Sequence, residues 1–563
     1  MEALNVGEVK QSIALHNWKD CFVPRNDDKK IKCNQMKYSI NIIKALIFIL
    51  TTCIGLTANA QSYYNVIKYG AKNDSSKLAT TAIKNAIEAA SKAGGGTVYF
   101  PAGKYLTGAI HLKSNIIILI DAGAELHFSD NFDDYLPMVK SRYEGVDVTS
   151  FSPLFYAYKV ENISIIGRGI IDGHGKKWWD FVEGYKEGQP RSKWQTTFDG
   201  LNKDIILPDD PKQMKRGFLR PPFIQPMFCK NVLIDGITIR NSPFWTINPE
   251  FCENVKIHAV TINNPHSPNT DGINPESCKN VHISDCLISV GDDCITIKSG
   301  KDAPGIKMAV PAENYVITNC TMLSGHGGVV IGSEMSGDVR KIAISNCIFD
   351  GTDRGIRIKT ARGRGGVVED IRVSNIIMKN IKDQAIVLDM QYAKTNVEPV
   401  SERTPIFRNI HFSNITGQVN QAAYLNGLEE MPIDNITFND INMDAKTGFS
   451  INNSSNIEFH NVTVNTELGP SLKALKVNNL IIDGLKSNKP NVNAAVIDLT
   501  NVSDLFLYNA FPTKETVTYL KLSGAETKNI FLGNNNFRRV REAVKKEKEV
   551  SSNIEIISGD KGQ

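Results

Sequence analysis

The sequence has almost no helical periodicity, little net charge and few aromatic residues. Its 64 basic and 60 acidic residues leave a formal charge of only +4. No basic stripe with interleaved aromatics appears, so the footprint of a nucleic-acid binder is missing. Ten cysteines in 563 residues are too few for a disulfide scaffold, and a chain this long buries enough core to need none. With 41% hydrophobic and 22% charged residues it is not a disordered chain, and 42 Gly and 23 Pro do not make a collagen-like fibre. The longest apolar stretch, centred on Ile42 to Leu56, is short and interrupted by Lys44, which argues against a membrane-spanning helix.

That stretch reads better as part of an export signal. Residues 36–60 begin Met36-Lys37, continue through the apolar segment and end Ala58-Asn59-Ala60 before Gln61. A basic start, an apolar middle and an Ala-x-Ala end are the three parts of a secretory signal peptide. Residues 1–35 are then expected to be a mis-assigned upstream extension, and the protein to be periplasmic or extracellular. The alternative is a genuine extension before a membrane anchor. With the eight basic and five acidic residues of the first sixty removed, the balance falls to +1. An acidic ligand must therefore be held by a local cluster.

What is abundant is one repeat. Asn followed by alternating β-branched residues recurs at Asn162-Ile163, Asn231-Val232, Asn254-Val255 and Asn280-Val281, and less strictly to Asn479-Leu480, with many copies 21 to 29 residues apart. Short period-2 strands separated by Gly, Asn and Asp predict one solenoid coil per repeat, hence an all-β, single-domain parallel β-helix over residues 61–537. Ile83, Ala86, Ile87 and Ala90 predict an amphipathic helix capping its start. Residues 174–220, with Trp178, Trp179 and Trp194, break the period and are expected to form a long loop over one face. Residues 538–563 are expected to be a charged tail, a solvated helix or a frayed end. Cys229, Cys252 and Cys278 share one register and Cys286, Cys320 and Cys347 another, which predicts stacks of free thiols packing as small apolar groups.

The chemistry-bearing residues fall on successive coils. Asn269-Thr270-Asp271, Gly291-Asp292-Asp293, Gly325-His326-Gly327 and Arg357-Ile358-Lys359 follow one another at 21, 34 and 31 residues from Asp271 to Asp292, His326 and Arg357. Coils stack about 4.8 Å apart, which places three carboxylates and an imidazole within a sugar's length. At least one of the aspartates is expected to keep a proton near neutral pH. Paired carboxyl groups are what glycoside hydrolysis requires. Arg357 and Lys359 share the outward face of one strand, and two cations beside an acidic cluster suit a substrate that brings its own carboxylate, such as a uronic acid. Each residue also has a plain reading: Asn and Asp as turn residues, Arg357 and Lys359 as a solvated strand face, and His266 as a loop residue near the site.

Taken in order, these four motifs resemble glycoside hydrolase family 28, the polygalacturonases and their relatives. The resemblance covers roughly residues 63–535 and includes Tyr69-Gly70-Ala71 and Gly94-Gly95-Gly96-Thr97. It implies a right-handed β-helix acting on pectin with inversion, without cofactor or metal. Asp292 would be the general acid, Asp271 and Asp293 would hold and deprotonate the attacking water, and His326 would tune the acid. Arg357 and Lys359 would bind the galacturonate carboxylate, Tyr392 would lie near the cleaved sugar, and Asn269 would position sugar or carboxylates. Stacking alone brings Asp271 and Asp292 closer than the ~6.5–9.5 Å associated with inversion and suggests retention instead.

Other readings stay open at this stage: a hydrolase of another pectic chain such as rhamnogalacturonan, a calcium-dependent pectate lyase, or a non-catalytic glycan-binding β-helix. Intact Gly-His-Gly and Arg-Ile-Lys motifs favour homogalacturonan. The insertion at 174–220, the irregular stretch 395–405 and Gly332-Ser333-Glu334-Met335-Ser336-Gly337, which resembles bacterial exo-acting members, point to attack at chain ends.

Overall fold

The chain divides into two units, Met1–Gln61 and Ser62–Gln563. The computed structural model describes residues 63–186, 188–205, 220–265, 267–550 and 556–558, together with 39 and 42–44 of the first unit. The expected upstream extension and nearly all of the expected signal peptide therefore lie outside the described residues, as does His266. Among the described residues no helix is long and apolar enough to cross a membrane.

The second unit is a parallel β-helix, and its registers show why. Ile118, Ile165, Ile234, Ile257, Ile283 and Ile317 lie directly opposite one another on successive strands of a first sheet. All six are buried. A second sheet runs through Leu126, Ile171, Ile239, Ile262 and Ile288. A third runs through Ile224, Ile247, Ile273, Ile295, Val329 and Ile356. Each coil thus stacks like side chains on like, and fully burying one such side chain contributes roughly 1.5–3 kcal/mol. The seven described cysteines are free and buried, and Cys252 N–H reaches Cys278 Sγ at 3.3 Å, as the shared register predicts.

The repeating Asn turns each coil. Asn162, Asn231, Asn254 and Asn280 all adopt left-handed backbone, φ 56 to 58°. Asn is among the few residues that enter this region readily. Each side-chain amide donates to the Oδ1 of the Asn one coil earlier, at 2.8 Å from Asn231 to Asn162 and 3.0 Å from Asn254 to Asn231 and from Asn280 to Asn254. The ladder joins turns that are otherwise open to water.

Helix α1 (Thr80–Lys92) buries Ala82, Ile83, Ala86, Ile87 and Ala90, and it packs on the first strands, Tyr63–Asn65 and Gly96–Phe100. Two expectations need correction. The insertion after residue 174 is not a loop throughout: it holds helices α2 (Lys176–Glu183) and α3 (Lys193–Leu201). Trp178 is 1% exposed, in a cluster with Phe132, Tyr135 and Phe151. Burying those rings is what folds the insertion. The tail is not a solvated helix either. Val540–Lys546 is a strand paired in parallel with Thr516–Ser523, because Val540 and Val544 alternate onto the core edge while the charges face outward.

The ladder predicts an ordering of variants. Asn254→Ala removes two side-chain hydrogen bonds and forces Ala into left-handed backbone, costing about 2 kcal/mol. Asn254→Gly loses only the hydrogen bonds and should fall between Ala and wild type in urea unfolding. Equal stability of all three proteins would show that the ladder holds nothing.

Candidate active site

The four motifs meet where the chain turns from the second sheet into the third. Strands Thr261–Asn264, Leu287–Val290 and Thr321–Ser324 end just before Asn269-Asp271, Asp292-Asp293 and His326. Strand Ile356–Lys359 presents Arg357 and Lys359 from the third sheet. The turns are glycine-dependent at two points. A Cβ on Gly291 would lie 2.0 Å from the Ser267 carbonyl oxygen. Gly325 has φ +155°, and its Cβ would lie 2.6 Å from the Asp292 carbonyl. His326 N–H donates to that same carbonyl at 2.9 Å, so the His turn is seated directly on the Asp turn.

All eight residues singled out from the sequence line one cleft of about 530 Å³: Asn269, Asp271, Asp292, Asp293, His326, Arg357, Lys359 and Tyr392. Carboxylate oxygens of Asp271, Asp292 and Asp293 lie within 4.8 Å of one another. They differ in access. The Asp292 side chain is 20% exposed, that of Asp293 2%, and Asp271 as a residue 4%. Asp271 Oδ2 is pinned by Asn274 Nδ2 at 2.8 Å and Thr296 Oγ1 at 3.2 Å. Asp293 Oδ2 accepts from Lys359 Nζ at 2.9 Å, while its buried Oδ1 has no hydrogen-bond partner. Asp292 faces His326 Nδ1 at 3.1 Å, and Asn269 Nδ2 reaches its other oxygen at 3.4 Å.

Arg357 and Lys359 were expected to be cations awaiting a substrate carboxylate. They also serve the cluster: Arg357 Nη1 is 3.8 Å and Lys359 Nζ 2.9 Å from Asp293. Both lie over the Tyr392 ring, 5.5 and 5.4 Å from its centre. Without these charges, three stacked carboxylates would repel one another.

The electrostatics separate the aspartates. Burial, and then the charges of Asp292 and Asp293, push Asp271 well above the usual carboxylate range. Burial acts in the same direction on Asp292, but the hydrogen bond and charge of His326, with the nearby Lys359, outweigh it and hold this group low. The hydrogen bond to Asp292 raises His326 against the opposing effect of its own burial. These directions favour a proton on Asp271 and His326 over Asp292, whereas the resemblance puts the donated proton on Asp292.

Several cleft residues escaped the sequence reading. Lys298 is 5% exposed, pairs with Glu334 at 2.7 Å and sits over Trp245 at 4.8 Å from the ring centre. The signal was present: Ile295-Thr296-Ile297-Lys298 has the pattern of Ile356-Arg357-Ile358-Lys359, two coils apart in the third sheet. Glu144 comes from an antiparallel hairpin, Val139–Tyr143 and Val146–Ser150, that no local pattern marked as part of the site.

A model of the family described as glycosyl hydrolases family 28 matches residues 208–467. One described as rhamnogalacturonase A/epimerase, pectate lyase-like, matches residues 63–186. The chain is 31% identical over 415 residues to a probable polygalacturonase from Vitis vinifera, covering 71% of this chain and 77% of that protein. It is 29% identical over 392 residues to an endo-polygalacturonase from Pectobacterium carotovorum subsp. carotovorum, covering 68% and 88%. The solved structure of a hyperthermoactive exopolygalacturonase from Thermotoga maritima is similar with a TM-score of 0.61 at 33% identity, covering 75% of this chain and 92% of that one.

The His326–Asp292 contact makes a prediction about pH. In an NMR titration His326 should lose its proton above the ordinary imidazole value of 6.5. In Asp292→Asn the largest raising influence is gone, burial is opposed only by the charges of Asp293 and Asp353, and the midpoint should drop below the wild-type one. The pair's contribution to stability is present between the two folded-state values: it is lost as pH rises through the raised His326 value and lost again as pH falls through the lowered Asp292 value. An unchanged midpoint in Asp292→Asn would show that the two groups do not interact.

Proposed function

The chain belongs to glycosyl hydrolases family 28, and from this we propose that it hydrolyses the α-1,4-galacturonosidic linkages of pectic polygalacturonan, attacking from a chain end. The observation that carries the reading is the meeting, in one cleft, of three carboxylates of unequal access, an imidazole bound to the most accessible one, and two cations. Asp292 is the general acid in this account. It is the most exposed of the three, and His326, 3.1 Å away, supplies the proton. A galacturonate carboxylate entering beside this couple favours moving the proton from the imidazole onto Asp292, where it meets the leaving oxygen.

Asp271 and Asp293 are recessed and pinned, so a carboxylate oxygen of theirs is poorly placed to attack the anomeric carbon itself. A water held against them is better placed, and the Oδ1 of Asp293, which accepts no hydrogen bond and has Arg357 Nη1 3.8 Å away, is the acceptor for its proton. This favours single displacement with inversion despite the short separation of the carboxylates. Arg357, Lys359 and Tyr392 form the part of the cleft that takes the galacturonate carboxylate, and Asn269 positions Asp292.

Attack at chain ends is supported by the hairpin. Arg142 is 3% exposed and binds Glu276 at 2.7 Å and Asp147 at 2.6 Å, which fastens the hairpin across the third sheet beside the carboxylates. Tyr143 stacks on Phe244 at 4.4 Å between ring centres. Glu144 at the tip faces the cleft, and burial beside Glu334 pushes its pKa up to about 7. The insertion expected to wall the site acts at one remove: Asn202, at the end of α3, hydrogen-bonds the Thr149 backbone at 2.7 and 2.8 Å and buttresses the hairpin. None of residues 395–405 lines the cleft. Export through the segment 36–60 is part of the same proposal.

Digestion of polygalacturonate in the presence of a calcium chelator tests the reading. Wild type should release galacturonic acid or its dimer with little early loss of viscosity and no ultraviolet-absorbing unsaturated product. Asp292→Asn should lose roughly 10²–10⁴-fold in kcat while staying folded. A steep early fall in viscosity would mean internal cuts. Unsaturated products would mean a lyase, and release from rhamnogalacturonan alone would replace the substrate.

A further inference from the structure

Away from the cleft, a second cluster of metal-ligating side chains is built into the early coils. His127 and Asp172 lie opposite each other on adjacent strands of the second sheet, followed one coil later by Arg240. His174 follows Asp172 by two residues, in left-handed backbone at φ 46°, just ahead of helix α2. His127 Nδ1 is 3.1 Å from His174 Nε2, and His174 Nε2 is 3.6 Å from Asp172 Oδ1. All three ligand atoms lie within 4.8 Å of one another. A tetrahedral zinc ion with bonds of about 2.0–2.2 Å requires ligand–ligand edges of about 3.3–3.5 Å, and the two measured edges bracket that span.

We propose that His127 Nδ1, His174 Nε2 and Asp172 Oδ1 form a zinc site, with water completing the tetrahedron. The surrounding groups orient each ligand as a metal site requires. His127 Nε2 faces Glu125 Oε2 at 3.0 Å, which fixes the protonated nitrogen there and leaves Nδ1 bare. Arg240 Nε donates to Asp172 Oδ2 at 2.8 Å, the His174 backbone N–H to Oδ1 at 3.0 Å, and Asn241 Nδ2 to Oδ1 and Oδ2 at 3.0 and 3.1 Å. The carboxylate is thus held in place, and a metal on Oδ1 displaces the Asn241 contact there. His174, 40% exposed at its side chain, has only to carry its proton on Nδ1 rather than Nε2 to free the third ligand. Arg240 and Lys104 balance the charges of Asp172 and Glu125, so the attraction for a cation comes from the placement of the three ligand atoms.

The site joins the β-helix to the first residues of the insertion that buttresses the hairpin. A metal here stiffens the wall of the cleft without touching the reacting groups. The proposal rests on the cluster alone and stands or falls independently of the substrate reading.

The test uses the folded protein, stripped of metal by dialysis against a chelator and titrated with Co²⁺ and Zn²⁺. One equivalent of Co²⁺ should produce the intense visible band of a four-coordinate site, and Zn²⁺ should raise Tm and displace that band. His174→Ala, at an exposed position, should stay folded and lose both effects; His127→Ala should lose them as well. A metal bound at the catalytic carboxylates would keep its signal in His174→Ala. That outcome, or the absence of any band and Tm shift in the wild type, would overturn the site and leave the two imidazoles as a simple hydrogen-bonded pair.

Discussion

Parallel register is the constraint on which the rest of this molecule depends. Because each coil sits squarely on the last, residues 20 to 40 positions apart become neighbours about 4.8 Å apart, repeatedly and in the same order. The stacking that buries Ile165 on Ile234 and Ile257 also sets Asn254 on Asn231 and Cys278 on Cys252. It also brings Asp271, Asp292 and Asp293 together. Apolar stacking stabilises, amide stacking is close to neutral in charge and rich in hydrogen bonds, and carboxylate stacking is unfavourable by itself. The fold tolerates the last because so many coils contribute the first.

How the unfavourable stack is held determines what it can do. Lys359 and Arg357 stand against Asp293, His326 stands against Asp292, and Asp271, the most enclosed by neighbouring acids, is left to keep a proton. Each carboxylate therefore has a different partner and a different degree of access, although all three come from equivalent turns of one repeat. The proposed division of labour between proton donor and water-binding groups rests on those partners rather than on the aspartates themselves. Lys298 extends the pattern, since its pairing with Glu334 puts another compensated charge into the cleft floor.

Much of this was legible in the sequence, for a physical reason: in a solenoid, spacing along the chain converts directly into position in space. The Asn–Ile repeat revealed the coils, and the separations between Asp271, Asp292, His326 and Arg357 revealed a shared face. Features that break the repeat were not legible. The hairpin carrying Arg142 and Glu144 meets Glu276 across 134 residues of sequence, a contact that no local pattern encodes. The helices around Trp178 owe their form to a ring cluster gathered from three separate segments. The strand at Val540 looks like a charged tail until its two valines find the core edge. Lys298 could have been recognised, since its strand repeats the alternation seen at Lys359, but a single Lys after Ile carries little weight until its register is known.

The central claim is that the recessed Asp271 and Asp293 hold a water, with Asp293 taking its proton, while the accessible Asp292 donates one. Its most direct test is the configuration of the first product. Proton NMR at early times on an α-linked oligogalacturonide should show the β-anomer of the released galacturonate, appearing before mutarotation. An initial α-anomer would mean that a carboxylate attacks the sugar itself, and the account of the buried pair given above would be wrong.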